Sequence, residues 1–194
     1  MRLVLATRNP GKVAELDARL SGLGIDLVSA SGVEGAPEVD EDRDTLRGNA
    51  EKKARALFEH TGEASLADDT GLEVDALGGA PGVHSARYAG PEADDAANRQ
   101  KLLASLSGRT DRAARFRTVL AFADEAGVEF FDGVCEGTIA PEASGDGGFG
   151  YDSVFVPADG DGRTFAQMDA AEKNGISHRG RALDAFTAWM ADRT

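Results

Sequence analysis

Two aspartates stand side by side in "SLADDTGLEV" (65–74), between an apolar run and a glycine. Adjacent carboxylates repel unless water, a proton or a cation relieves them. On a surface turn, bulk water does so. In a cleft a metal ion does, and Asp68 and Asp69 then become hard oxygen ligands beside a water that a carboxylate can deprotonate. On a straight strand the two side chains point to opposite faces. The reading therefore places a turn at Thr70–Gly71, which brings both carboxylates to the same cleft.

Four further stretches carry the groups that make a site receptive to an anion. "TRNPGK" (7–12) sets Thr7, Asn9, Gly11 and Lys12 between a strand end and a helix start, where free N–H groups attract negative charge. It lacks the longer Gly-x-x-x-x-Gly-Lys-Ser/Thr phosphate loop. On its residues alone it is either an anion site or an ordinary capped helix. Thr45, Asn49 and Lys53 form an i, i+4, i+8 polar stripe, either solvated or turned toward the aspartates. In "EKNGISHRGRA" (172–182), Lys173, His178 and Arg179 surround a helix start capped by Ser177. Cations there oppose the helix dipole, so an anionic or strongly accepting partner should compensate, unless the histidine is a structural one. "GDGGFGYD" (145–152) gathers glycines around Phe149, Tyr151 and Asp152, as an aromatic meeting a flat ligand would require, or a hairpin connection. His60 and His84 have no comparable setting and receive no role.

The 194 residues suffice for one domain, with no linker, repeat or low-complexity tract to separate two. A net charge of −13, from 21 basic and 34 acidic residues, argues against wrapping nucleic acid. No apolar run approaches the roughly 18 residues of a membrane span, and the N-terminal stretch does not read as a signal peptide. With Cys135 as the single cysteine, a reducing cytoplasm is the expected setting.

The elements that must hold these residues follow from periodicity. Strands are expected at 2–7, 25–30, 63–67 and 154–158, and a hairpin from 115–124 and 128–140 around Glu125–Gly127. A helix over 9–23 takes Asn9 as N-cap and Pro10 as first residue, burying Val13, Leu16, Leu20 and Leu23. A second, capped by Asp44 and reaching His60, buries Leu46, Ala50, Ala54 and Leu57. A third covers 96–108, and a last one after Ser177 buries Leu183, Phe186 and Met190. Residues 77–95 read as loop. The class is α/β, a mixed sheet with helices packed on it.

Five of these pieces, "TRNPGK", "NAEKKA", "ADDTGLEVDALGGAPGVHSARYAG", "GGFGYD" and "EKNGISHRGRAL", stand in order from residue 7 to 183. Together they resemble the inosine triphosphate pyrophosphatase family, which removes non-standard purine nucleotides. The resemblance implies a long central mixed sheet flanked by helices, two lobes around a substrate cleft and a homodimer. It implies Mg²⁺-dependent hydrolysis of purine nucleoside triphosphates (ITP, dITP, XTP) to monophosphate and pyrophosphate. Carried over to this chain, Asp69 is the proton acceptor and a Mg²⁺ ligand, with Glu41 its acidic partner and Asp68 a further ligand. Thr7, Arg8, Asn9, Pro10, Gly11, Lys12, Asn49, Lys53 and Thr70 contact the triphosphate; Thr70 stands where serine is frequent in the family. Phe149, Gly150, Tyr151, Asp152, Lys173, His178 and Arg179 contact the nucleoside and base.

Two rivals use the same residues. A haloacid-dehalogenase-type phosphatase needs one residue between its aspartates, whereas these are adjacent. A nucleotide sensor without catalysis would keep the basic and aromatic contacts but has no need of both acids.

Overall fold

The computed structural model describes residues 2–20, 22, 24–92 and 94–193. Leu23, expected in the apolar stripe of the first helix, lies outside the described residues. Among the described residues there are seven strands and five α-helices, which alternate in the first part of the chain and then run as groups of strands and of helices. They are β1 (Arg2–Leu5), α1 (Pro10–Leu20), β2 (Asp26–Ser29), α2 (Leu46–Thr61), β3 (Ser65–Val74), β4 (Pro81–Gly82), α3 (Asp95–Ser105), β5 (Ala113–Asp124), β6 (Gly127–Ile139), β7 (Phe155–Pro157), α4 (Ala170–Ile176) and α5 (His178–Ala191).

The strands order as β2-β1-β3-β5-β6-β7, with β4 on β3. β1 is parallel to both β2 and β3, while β3–β4 and β6–β7 are antiparallel, so the sheet is mixed. The chain divides into two compact units whose boundaries fall inside β3, β5, β6 and α5. Unit 1 comprises 1–69, 118–133 and 182–194; unit 2 comprises 70–117 and 134–181.

Each unit has its own apolar core. In unit 1, Leu3 and Leu5 of β1, Leu16 and Leu20 of α1, Leu66 of β3, and Leu183 and Phe186 of α5 form one cluster, with Met190 half-buried beside it. Val4 points the other way, against Leu57 of α2. This is the arrangement β1-α1-β2-α2-β3 requires: consecutive right-handed crossovers run in opposite directions along the sheet, so α1 and α2 cover opposite faces. In unit 2, Leu72, Leu102, Leu106, Phe116, Phe155 and Phe165 pack together with Cys135 and Tyr151. Burial pushes the Cys135 thiol up to about 11, as an inert structural cysteine requires.

The caps explain where the helices begin. Asn9 Oδ1 accepts the Gly11 and Lys12 amides, so α1 starts at Pro10 as expected. Ser177 Oγ accepts the Gly180 amide at the head of α5. For α2 the expected cap, Asp44, gives way to Thr45, whose hydroxyl accepts from Gly48 at 3.0 Å. A cap oxygen must sit two or three residues before the amide it serves, and Leu46 is the first helical residue. The helix α4 was not expected. It is short and lacks an apolar period, yet Asp169 and Glu172 close a capping box that the sequence carries. The expected loop at 77–95 contains β4 and the first residue of α3.

The expected turn at Thr70–Gly71 is overturned: β3 runs unbroken to Val74. Its second half is held by pairing of Leu72 with Gly82 and Glu73 with Pro81, and by the Leu72 amide donating to Ser85 Oγ at 2.8 Å. The chain has no reason to turn where a partner strand extends it. Asp68 and Asp69 therefore obey strand alternation and face opposite sides.

Candidate functional site

Unit 1 gathers lysines and acids around the end of its part of β3. Asp68 is 2% exposed and shares its sheet face with Leu66; its carboxylate meets Lys12 Nζ of α1 at 3.0 Å. Asp69, 5% exposed, shares the opposite face with Ser65, whose hydroxyl bonds Ala54 of α2. There Lys53 Nζ reaches Asp69 Oδ1 at 3.0 Å, Glu41 Oε1 at 2.6 Å and the Asp68 carbonyl at 2.7 Å. One ammonium thus lies between two carboxylates brought from β3 and from the acidic loop before α2.

Asn49, one helical turn before Lys53, completes the arrangement. Its amide donates to Asp69 Oδ2 at 3.3 Å, and its carbonyl accepts the Arg43 amide at 3.0 Å. At 1% exposure it orients Asp69 and the loop. Lys52 donates to the Asp40 carbonyl and to Asp42, tying down the same loop from the next position. The polar stripe of α2 is therefore turned inward from Asn49 to Lys53. Neighbouring Thr7 accepts the Asn9 amide, while Arg8 donates to the Ala36 carbonyl at 3.0 Å and to Glu38 at 3.4 Å.

Burial pushes the Asp69 carboxyl above the usual carboxylate range, with Glu41 adding to it and Lys53 and Lys12 opposing. For Lys53, burial alone would favour the neutral amine, but Asp69, Asp68 and Glu41 together outweigh it and keep the ammonium protonated. Among the described residues no three acids, histidines or cysteines gather as a self-sufficient metal cage. Glu41 and Asp69 nevertheless present two carboxylates to one cation, which is the donor set Mg²⁺ uses when water and phosphate oxygens complete its shell. Asp68 is directed to the other face and to Lys12.

Unit 2 holds the aromatic and basic set. Phe149 lies between Gly148 (φ 69°) and Gly150 (φ 59°). A Cβ on Gly148 would come within 2.1 Å of Asp152 Oδ2, so only glycine lets the loop close on that carboxylate. Asp152 accepts the Phe149 amide at 2.9 Å and Lys173 Nζ at 2.7 Å. Lys173 Nζ lies 4.8 Å and the Arg179 guanidinium 5.8 Å from the Phe149 ring centre. Arg179 also donates to Thr70 Oγ1 at 3.1 Å, and it is buried to 2%.

His178 stacks on Phe116, ring centres 4.5 Å apart and planes 18° from parallel. Phe116 was not foreseen as part of the site. Nothing in its own sequence neighbourhood marks it, because its role depends on β5 meeting the start of α5. Tyr151 is turned inward, its hydroxyl donating to the Ser85 carbonyl at 2.8 Å, and burial pushes its phenol well above the usual range. Its backbone rather than its ring belongs to the loop surface.

These two sets draw residues from all five motifs. The Ham1 family model matches residues 3–189. A dITP/XTP pyrophosphatase of Desulforamulus reducens is 53% identical over 186 residues, covering 94% of this chain and 92% of that protein. A solved HAM1 protein from Coxiella burnetii is 40% identical with a TM-score of 0.90, covering 99% of each chain. A nucleoside-triphosphatase / dITP/XTP pyrophosphatase from Mycobacterium abscessus is 45% identical with a TM-score of 0.77, covering 96% of this chain and 98% of that one. The chain belongs to the Ham1 family.

Proposed function

We propose that this protein hydrolyses purine nucleoside triphosphates with an oxygen at position 6 of the base (ITP, dITP and XTP), releasing the monophosphate and pyrophosphate. The observation that carries this reading is Lys53 held between Asp69 and Glu41, at 3.0 and 2.6 Å. The arrangement offers both a carboxylate base and a cation, which phosphoryl chemistry needs together. The names of the relatives, dITP/XTP pyrophosphatases, support the substrate class.

Asp69 and Glu41 fit Mg²⁺, which when bound neutralises phosphate charge and makes the α phosphorus more electrophilic. The protein's own groups do the rest. Lys12 and Lys53 take phosphate oxygens. Asp69, fixed by Asn49, accepts the proton of the attacking water. Water attacks the α phosphorus, the bond to the bridging oxygen breaks, and pyrophosphate leaves.

Phe149 takes the face of the base and Lys173 reinforces it. Arg179 has only donors to offer, so it suits the 6-oxygen of hypoxanthine or xanthine and opposes the 6-amino group of adenine. GTP shares the oxygen and would be rejected at its 2-amino group. A homodimer working in the cytoplasm, clearing unwanted nucleotides, completes the proposal. Among the described residues no helix is long and apolar enough to cross a membrane.

The test is base selectivity. The kcat/KM for ITP should exceed that for ATP, and Arg179→Met should lower this ratio by roughly 5–150-fold, the cost of one unsatisfied buried group. ATP hydrolysis itself should change less. Equal kcat/KM for ATP and ITP in the unmodified protein would refute the substrate assignment.

A further inference from the structure

The loop that carries Phe149 is gripped from α3 by two residues that none of the motifs includes. Gly150 donates its amide to Asp95 Oδ2 at 2.7 Å, and its carbonyl accepts from Arg99 Nη1 at 2.7 Å. Asp95 and Arg99 are four residues apart, so one helical turn delivers both to the same glycine. The helix is itself anchored. Asp94 caps it by accepting the Ala97 amide at 2.7 Å, and the Asn98 side chain bonds the Ala89 amide and the Ala86 carbonyl.

The consequence lies in which peptide planes are fixed. Phe149 sits between two glycines in the left-handed region, where the backbone has the most freedom to swing. Its own amide, in the 148–149 plane, is held by Asp152. The Gly150 amide belongs to the 149–150 plane and is held by Asp95; the Gly150 carbonyl belongs to the 150–151 plane and is held by Arg99. Three successive planes are thus each tied to a charged side chain, the middle one also through the Phe149 carbonyl, which accepts the Asp152 amide at 3.2 Å, and the backbone torsions from which the Phe149 ring projects are set. The same residues line a cavity of about 640 Å³ with Gly145, Gly147, Gly148 and Phe149, so one side of the loop faces open space, while Gly145 and Gly147 lie close against Ala166.

We propose that Asp95 and Arg99 are positioning residues for base recognition: they set the orientation of Phe149 and, with it, the registry of the base against Arg179. This rests on the nucleotide reading above. The phosphate chemistry belongs to other residues, so loosening the clamp should weaken binding of the base more than it slows the chemical step.

Two readouts test it, on the full chain. Hydrogen exchange followed in a fragment spanning 145–153 should accelerate at least tenfold in Arg99→Met and Asp95→Asn, with less change in fragments from β1 and α2. In steady-state kinetics with ITP, Arg99→Met should raise KM by about tenfold, the weight of one charged hydrogen bond, and lower kcat by less. Asp95 is more exposed, so Asp95→Asn should have the smaller effect. Arg99→Lys, which keeps a charged donor, should recover most of the loss. Unchanged exchange at 145–153 in both variants would overturn the clamp, as would kcat falling with KM constant. If exchange accelerates as expected but the unmodified protein does not turn over ITP, the clamp stands and the nucleotide reading fails instead.

Discussion

Asp69→Asn should remove nearly all turnover while leaving the fold intact. The substitution keeps the volume and leaves an oxygen for Lys53, but asparagine cannot accept a proton from water and is a weaker ligand for a hard cation. Loss of a general base alone is worth roughly 10²–10⁴-fold. Nucleotide affinity measured without metal should change little, because Lys12, Phe149 and Arg179 are untouched. Steady-state rates with ITP and Mg²⁺, alongside circular dichroism and a thermal melt, check both halves. A variant that retains more than half of the original turnover would remove Asp69 from its assigned role.

The second large effect is on stability. Lys53→Met leaves Asp69, whose side chain is 7% exposed, without the ammonium 3.0 Å away, and Glu41 without its closest partner. Breaking a buried pair by removing one member typically costs about 3 kcal/mol or more, since the remaining charge stays buried. The sign of the pH dependence follows. Burial already holds the Asp69 carboxyl above its usual range, and losing Lys53 raises it further. A carboxyl whose folded pKa is raised favours the folded state when protonated. That contribution is fully present below the unfolded value of about 3.9 and is lost as pH rises through the folded one. The stability deficit of Lys53→Met should therefore be larger at pH 8 than at pH 5, as read by urea unfolding. A deficit that is absent, or equal at both pH values, would show that Lys53 does not carry this charge.

The parts of the fold legible in the sequence were those written in local chemistry. Asn9-Pro10 at the head of α1, the apolar stripe Leu46, Ala50, Ala54 and Leu57, and Ser177 before α5 each declare an element by cap or period, and each is where it was expected. The continuation of β3 through Thr70 and Gly71 was not legible, because it depends on sheet neighbours distant in sequence, β5 and the two-residue β4, the latter with no pattern of its own. The same mistake put Asp68 and Asp69 in one cleft; alternation instead sends one carboxylate to Lys12 and the other to Lys53. Similarly, Asn49 and Tyr151 lie within matched motifs, but only the fold shows that their side chains are spent on protein partners. Motif order singles these residues out, and tertiary contacts show which of their side chains are engaged by protein partners.

The central claim, that water attacks the α phosphorus, is tested most directly by hydrolysing ITP with Mg²⁺ in ¹⁸O-labelled water and reading the products by phosphorus NMR and mass spectrometry. IMP and pyrophosphate are expected in equal amounts, with the label in IMP alone. Label in pyrophosphate, or IDP and orthophosphate as the first products, would contradict it.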